Sequence, residues 1–404
     1  MLTQQPSYRN LIFISLSQFG AASSFNFLNI FLPFYIFNIS PYSFKETLLW
    51  IGAIQGSTGI VTALTSTFWG SLTHHFSPKA LYLRGLIAQA IMIFLMGFTT
   101  NLHVLLILRI CQGLIGGIST IGMVIVSSSS LRERVSLDIG IYQSSMTLGQ
   151  LVGPPLGSLA AVALGFKGAF TSTSVGLLAA SIFCYLYVID VPKLQKEAKS
   201  SLWTLLDQRV ILGWMLCFTA SIQLMFLPSI LPNVLDQFHI EKPEALKLAG
   251  IVVMLYTATA MIGTYLWGWL SRKYGLIRII TLLFTLSILF QALLALSRGI
   301  IDFTLIRMIQ TGLVAATLPL IISIFLREPK GGIIGFLNSA RFAGMALGPM
   351  IATSILAFSS LQVVYLVISA ISLLALLGFK SFFKEPHDPS WLSHLYNPPK
   401  LPHK

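Results

Sequence analysis

The chain has 404 residues, of which 55% are apolar and 10% charged, and a formal net charge of +13. Soluble domains carry roughly a quarter charged residues. A water-soluble globule is therefore excluded, because a chain of this make-up would leave much of its surface as hydrocarbon.

Apolar stretches of about 20 or more residues follow one another along the chain, each long enough at about 1.5 Å per residue to cross a hydrocarbon core of roughly 30 Å. In chain order they predict twelve membrane helices, at 10–38, 46–72, 79–99, 102–128, 137–164, 168–190, 209–233, 246–270, 277–297, 300–325, 332–357 and 360–383. No short apolar core with a small-residue cleavage site precedes them, so the first is read as a retained span. Residues 1–190 then form one six-helix bundle and 209–383 a second, joined by a polar linker at 191–208. A tail at 384–404 carries Pro386, Pro389, Pro398, Pro399 and Pro402 and is expected to be poorly ordered.

The basic residues set the orientation. With both termini cytoplasmic, eighteen Lys and Arg fall on the inner side, and only Lys45, Lys167, Lys242, Lys247 and Arg298 fall outside. The positive balance therefore reports topology and contact with anionic lipid headgroups. No basic cluster interleaved with aromatics points to nucleic acid.

The second half repeats the first. Phe31-Leu32-Pro33 returns as Phe226-Leu227-Pro228, Trp69-Gly70 as Trp267-Gly268, Arg109 and Gln112 as Arg307 and Gln310, and Leu131-Arg132-Glu133 as Leu326-Arg327-Glu328. Gly140, Gly149, Gly153 and Pro154 return as Gly335, Gly344, Gly348 and Pro349, and the offset is 195 or 198 residues at every anchor. Duplication of a hydrophobic half is how many secondary carriers build a path through a bilayer, with substrate held where the halves meet.

Three local patterns carry chemistry. In the fifth span, Gly140, Gly149, Gly153-Pro154 and Gly157 place glycines four residues apart on one helix face, which admits a close neighbour, while proline bends the helix. In the fourth, Arg109, Gln112, Gly113 and Gly117 lie within one apolar run. An arginine at membrane depth is costly and usually faces the bundle interior or water, so Arg109 and Arg307 are expected to line a cavity. The alternative is that both snorkel to the outer surface, about two turns away. Between the second and third spans stand Gly70, Leu72, His74 and Lys79, echoed by Gly268, Leu270 and Arg272.

These spacings resemble the fifth-helix, fourth-helix and second-to-third-loop motifs of the major facilitator superfamily. Ser158 replaces the last glycine of the first motif, and His74 and Arg272 stand where the last has an aspartate. The resemblance implies an all-α membrane protein with two pseudo-symmetric six-helix bundles related by an axis along the membrane normal. It implies alternating access, with the glycine-rich faces of spans five and eleven as the deformable contact between halves. Trp69-Gly70, the Arg109 motif, the fifth-helix motif and Asn338-Ser339-Ala340-Arg341 look most like the bacterial twelve-span drug:proton antiporter branch, a group of inner-membrane multidrug efflux carriers. There the arginine matching Arg109 is thought to take part in proton coupling. His74 removes the usual ion pair of the inner gate. It is read either as a pH-sensitive gate residue, since imidazole titrates near neutrality, or as a solvated loop histidine.

The superfamily lines its pathway with the first, fourth, seventh and tenth helices. The candidate substrate-binding residues are therefore Asn26 and Asn29, Arg109 and Gln112, Ser221 and Gln223, and Arg307 and Gln310, together with Arg341. Such polar groups either meet substrate or bond to neighbouring helices. Gln18 is polar on the same first helix, and Phe25, Phe27, Phe31, Phe34 and Tyr35 would supply an aromatic wall. Arg109, Arg307 and Arg341 are the charges expected well inside the spans, while Asp138, Asp236 and Asp302 are expected beside water. Arginine does not release its proton in proteins. The missing mid-membrane carboxylate therefore weighs against an antiporter and toward an anionic substrate.

Cys111, Cys184 and Cys217 lack paired spacing and suggest neither disulfide nor zinc site. No zinc-protease, nucleotide-binding or serine-hydrolase motif is present, so no enzyme, metal or cofactor is expected. The expectation is a monomeric secondary carrier, moving small amphipathic compounds or drugs outward on an ion gradient with protons as a coupling ion. The alternatives are a carrier for an organic anion such as a metabolite or siderophore, and a transporter-shaped sensor without flux.

Overall fold

The computed structural model describes residues 6–131, 134–191, 207–325 and 331–382, and among these every regular element is helical. The helices are α1 (Pro6–Ile39), α2 (Phe44–Leu72), α3 (Pro78–Met96), α4 (Leu102–Leu114), α5 (Ile118–Ser129), α6 (Val135–Tyr187) and α7 (Gln208–Met225). They continue with α8 (Leu227–Gln237), α9 (Lys242–Tyr274), α10 (Leu276–Leu293), α11 (Ile300–Val314), α12 (Thr317–Phe325), α13 (Gly331–Phe358) and α14 (Leu361–Phe382). The proline-rich tail, most of the linker and, apart from Leu131, the repeated Leu-Arg-Glu anchors lie outside the described residues.

Ten described helices are long and apolar enough to cross a membrane, and eleven if α7 and α8, bent by 42°, count as one span. The apolar stretch Leu137–Tyr187 is 51 residues long, about 76 Å at 1.5 Å per residue, which is more than twice the hydrocarbon thickness. It turns at Gly165, where φ is 68° and ψ is 175°, a conformation that costs glycine little. Counting it as two spans turns eleven into twelve, the number expected from sequence.

The breaks inside spans follow the repeat. Gly117 has a φ of 90° and separates α4 from α5; α11 and α12 part at Ala315-Ala316, the equivalent place. Each break is bridged by a tryptophan. Trp69 Nε1 donates to Leu114 O at 2.7 Å and Trp267 Nε1 to Gly312 O at 2.9 Å, satisfying carbonyls near the break in a setting without water. Arg84 stacks on the Trp69 ring at 3.4 Å. Between spans the turns are capped from the sequence: Asn101 Oδ1 accepts the His103 amide, Asp207 caps α7 and Ser77 caps α3.

Within each half, glycines let backbones touch. A Cβ at Gly149, Gly153 or Gly157 on α6 would lie 2.5 Å from the carbonyl oxygens of Phe19, Ser23 or Phe27, so α6 rests on α1 along three turns. Gly344 and Gly348 on α13 face Ser221, Ile222 and Phe226 in and beside α7. This corrects one expectation: the glycine faces of spans five and eleven pack inside their own halves. Glycine is needed there because those helices run side by side over a long distance.

Contact between halves is made elsewhere. A Cβ at Gly56 on α2 would meet Ala346 O and Met350 Cγ of α13, both at 2.5 Å, and one at Gly59 would meet Ala346 Cα at 2.9 Å. Gly52 lies against Thr353, and Lys45 Nζ sits 4.0 Å from the Phe358 ring centre. Across the bundle, Gly250 on α9 packs on Pro154 and Ser158 of α6. These contacts begin at the middle of the spans, at Gly59 and Ala346, and extend through the half of each span remote from Pro6 and Phe382, here termed the far end.

The two halves separate toward the end that carries Pro6 and Phe382. Gly140 lies about five turns before Ser158 on the same face of α6, and Gly268 about five turns after Gly250 on the same face of α9. Neither has anything within 4 Å of a built Cβ. The apolar core divides the same way. One cluster fills the N-terminal half along its length, from Leu11 and Val191 to Leu28 and Ile54, and continues into the C-terminal half through far-end residues such as Phe226, Val252 and Ala352. A second, with Leu216, Leu283, Leu320 and Phe379, belongs to the C-terminal half alone. The result is a crevice sealed at the far end and open at the other.

Candidate functional site

The arginines of α4 and α11 are buried and held by partners from their own halves. Arg109 is 1% exposed and Arg307 0%. Arg109 Nη1 donates to Gln112 Oε1 at 2.8 Å, one turn along, and Nη2 to Asn29 Oδ1 on α1 at 3.1 Å. Arg307 Nη1 donates to Gln310 Oε1 at 2.7 Å and Nη2 to Leu224 O at 3.2 Å. Two rings, Phe226 and Tyr256, each have their centre 4.9 Å from the Arg307 guanidinium carbon. A desolvated cation–π contact is worth about 2 kcal/mol, which offsets part of the cost of burying the charge. Neither arginine snorkels, and neither lines the cavity as expected, because amides and a carbonyl of its own half enclose each guanidinium. Both are built into the interior, and the Nε of each has no hydrogen-bond partner.

The surrounding polar groups form two separate sets. In the C-terminal half, Gln310 Nε2 donates to Gln223 Oε1 at 2.6 Å, and Gln223 Nε2 donates to Ser372 Oγ on α14 at 2.8 Å. In the N-terminal half, Gln55 Nε2 donates to Asn29 O at 3.2 Å and Gln89 Nε2 to Gln112 O at 2.9 Å. A third set surrounds Gln18, whose Oε1 accepts from Tyr142 at 2.8 Å and Tyr82 at 3.3 Å, while its Nε2 donates to Ser119 Oγ at 3.1 Å.

Two candidates stand apart. Asn26 donates to Ala22 O at 2.9 Å in its own helix and lies beside Gly153. Ser221 donates to Cys217 O at 2.8 Å and lies beside Gly344. Phe31 and Tyr35, expected in an aromatic wall, pack edge-on against Phe170 inside the N-terminal half.

Arg341 differs from the other two arginines. It is half-buried on α13 and has no hydrogen-bond or ion-pair partner among the described residues. At about 100° per residue, α13 meets α7 through Gly344 and Gly348 and meets α2 through Ala346 and Met350. Arg341, Asn338 and Met345 occupy the arc between these contacts, together with the fully buried Ala352. The opposite arc holds exposed Ser354 and Phe358. Arg341 therefore faces inward, onto the crevice.

At the open end, the loop between α2 and α3 is tied to the end of α6. Asp190 accepts from the Ser77 hydroxyl and from the Lys79 amide at 3.2 Å, and Lys79 Nζ donates to Tyr185 O at 2.8 Å. His74 lies in the turn that follows Leu72, half-buried, its amide donating to Ser71 O at 3.2 Å. Asp138, expected beside water, is 3% exposed with one carboxylate oxygen lacking a partner. It lies one turn before fully buried Tyr142, on the inward face of α6. The remaining described carboxylates sit in first turns (Glu46, Glu244, Asp302), in a last turn (Asp236) or between helices (Asp190, Asp207, Glu241).

A family model described as Major Facilitator Superfamily matches residues 14–310, most of both halves. The chain belongs to the major facilitator superfamily. As a facilitator it is 24% identical over 388 residues to the staphyloferrin B transporter of Staphylococcus aureus, covering 92% of each chain. It is also 24% identical over 377 residues to the multidrug resistance protein MdtG of Yersinia enterocolitica, covering 90% of this chain and 91% of that one. Its fold matches the nucleoside transporter NupG with a TM-score of 0.74, 17% identity and coverage of 95% and 100%. A bacterial homologue of the human lysosomal transporter Spinster, in an inward-facing conformation, matches with a TM-score of 0.76, 14% identity and coverage of 96% and 100%. The human organic anion transporter MFSD10 matches with a TM-score of 0.68, 16% identity and coverage of 93% and 100%.

Several residues important to this facilitator's architecture were not singled out from sequence. Tyr256 and Ser372 gave no local signal. Gly52-x-x-x-Gly56 carries the small-residue spacing of a close helix contact and was legible in principle.

Proposed function

We propose that this facilitator is a secondary active exporter of small amphipathic compounds, working by alternating access in a bacterial inner membrane. The halves 1–190 and 209–383 rock as units about the crevice, joined by the linker at 191–208. Lys and Arg placement puts the open end in the cytoplasm, so the crevice is poised to load from inside. Similarity to a protein named for multidrug resistance supports the outward direction.

The observation that carries the reading is the contact stripe between α6 and α9. It is closed where Ser158 meets Gly250 and open where Gly140 stands opposite the turn containing Gly268. Rocking the halves would close that open end, and two glycines on the approaching faces leave room for it. On this reading Gly140 and Gly268 are contact residues of the other conformation, whereas Gly149, Gly153, Gly157, Gly344 and Gly348 keep each half rigid. Gly70 and Leu72 at the end of α2, His74 in the following turn and Lys79 at the start of α3 move together with α6.

Cross-linking tests this. The thiols of Gly140→Cys and Gly268→Cys, with the three native cysteines replaced by alanine, should form a disulfide only while the inner end is closed. Oxidation should therefore trap a form whose far end is open to membrane-impermeant reagents. Trapping without that exposure would rule out the rocking motion.

A second reading, transport of an organic anion, is favoured by Arg341. It is a cation facing the crevice with no carboxylate to neutralise it among the described residues at mid-membrane depth. Protons remain the proposed coupling ion.

A further inference from the structure

Three arginines lie at membrane depth, but the structure distributes their charges unequally. Arg109 and Arg307 each spend both terminal nitrogens on oxygens of their own half and are at most 1% exposed. A ligand in the crevice cannot reach them without dismantling a buried network. Arg341 has none of these partners, lies in the inward arc of α13, and is half-buried at an open crevice. It stands five residues inside the apolar span Phe336–Phe358, about 7.5 Å along the axis and on the open-end side of the span's midpoint.

A full positive charge at that depth is costly unless it is neutralised. No described carboxylate pairs with it, and Asp138, the one buried among them, lies in the first turn of α6. We infer that Arg341 is the recognition site for the acidic group of the substrate: an amphipathic organic anion whose carboxylate, sulfonate or phosphate pairs with this guanidinium. Its apolar body would lie along the neighbouring face. Asn338, one turn earlier in the same arc, supplies an amide beside the site. This rests on the carrier reading above and narrows its substrate class to anions.

The position also links binding to movement. Arg341 precedes Ala346 by five residues, about 7.5 Å along α13, and Ala346 is where Gly56 and Gly59 of α2 seal the far end. An anion seated on Arg341 therefore bears on the helix that forms the seal.

The test reads the charge of the crevice without requiring transport. In a background with Cys111, Cys184 and Cys217 replaced by alanine, Asn338→Cys is treated with anionic 2-sulfonatoethyl and with cationic 2-trimethylammonioethyl methanethiosulfonate. Each rate is normalised to that reagent's reaction with a free thiol. The anionic reagent should react about tenfold faster, as a low-dielectric cleft focuses the field of one charge. Adding Arg341→Gln should bring the ratio to about one, and adding Arg341→Lys should keep most of it. 2-Naphthoate should slow the labelling and 2-naphthamide at the same concentration should not. Equal normalised rates with Arg341 present, a ratio indifferent to Arg341→Gln, a thiol that reacts with neither reagent, or protection by both naphthyl compounds or by neither would each overturn the assignment. Failure of alternating access shows instead in the Gly140–Gly268 cross-link, so the two outcomes are distinguishable.

Discussion

Arg109 Nη2 donates to Asn29 Oδ1 at 3.1 Å, joining α4 to α1 across the N-terminal half. The 195-residue offset makes Leu224 the counterpart of Asn29, and Leu224 O accepts from Arg307 Nη2 at 3.2 Å. One half thus uses a side-chain oxygen and the other a backbone oxygen in the same place. The backbone carbonyl is free because its helical partner four residues on is Pro228, which has no N–H to donate.

This arrangement makes Gln310 the more sensitive partner. Gln310→Leu removes the acceptor of Arg307 Nη1 and the donor to Gln223, leaving a buried charge short of one bond. The expected loss is about 2–3 kcal/mol. Arg307→Met combined with Gln310→Leu should be less destabilised than Gln310→Leu alone, since replacing both partners with apolar groups is nearly neutral. Thermal unfolding in detergent measures the order. If the double variant proves the weaker, Arg307 is not held in the manner described.

Two glycine substitutions should separate packing from gating. Gly153→Val drives a side chain into Ser23 O, 2.5 Å from the Cβ, and overpacks the contact of α1 with α6. It should cost roughly 1–3 kcal/mol of stability whatever the conformation.

Gly56→Leu instead collides with Ala346 O and Met350 across the seal between halves. It should leave the unfolding temperature of each half little changed and push the population toward the far-open form. The measure is labelling of Ala346→Cys by an impermeant thiol reagent added from outside. Protection of that thiol in the Gly56→Leu variant would argue against a seal at this place.

The paired tryptophans offer a check on the duplication. Trp69→Phe and Trp267→Phe each lose one indole bond, to Leu114 O and Gly312 O respectively, and each should cost about 1 kcal/mol. Trp69→Phe should lose slightly more through its weaker stacking with Arg84. Because the sites lie in different halves, the costs should add within about 0.5 kcal/mol in the double variant. A clear departure from additivity would mean that the halves are energetically coupled at these breaks.

Much of the architecture was legible from residue types alone, because lipid imposes one rule on every span: its backbone must be satisfied internally. A run of apolar residues about 20 long can then only be a helix. Twelve spans and two repeats followed from length and spacing, and the cost of charge in hydrocarbon put Arg109 and Arg307 inside the bundle. The cavity-lining place expected for them is not where they stand, since each is sealed into a network of its own half. Broken spans were harder to foresee, since Gly117 and Gly165 are two among 31 glycines and only their positive φ marks them as turning points.

What composition and spacing determined, then, was that the chain spans a bilayer as a duplicated helical bundle with costly charge inside it. Only the tertiary structure decided which helices face one another. A glycine stripe reads the same whether its neighbour is α1 or α9, and an arginine reads the same whether amides already hold it or nothing does. Those distinctions arise from contacts between residues far apart in the chain. They assign Gly149, Gly153 and Gly157 to the interior of one half, Gly52, Gly56 and Gly59 to the seal, and leave Arg341 at the crevice with no partner among the described residues.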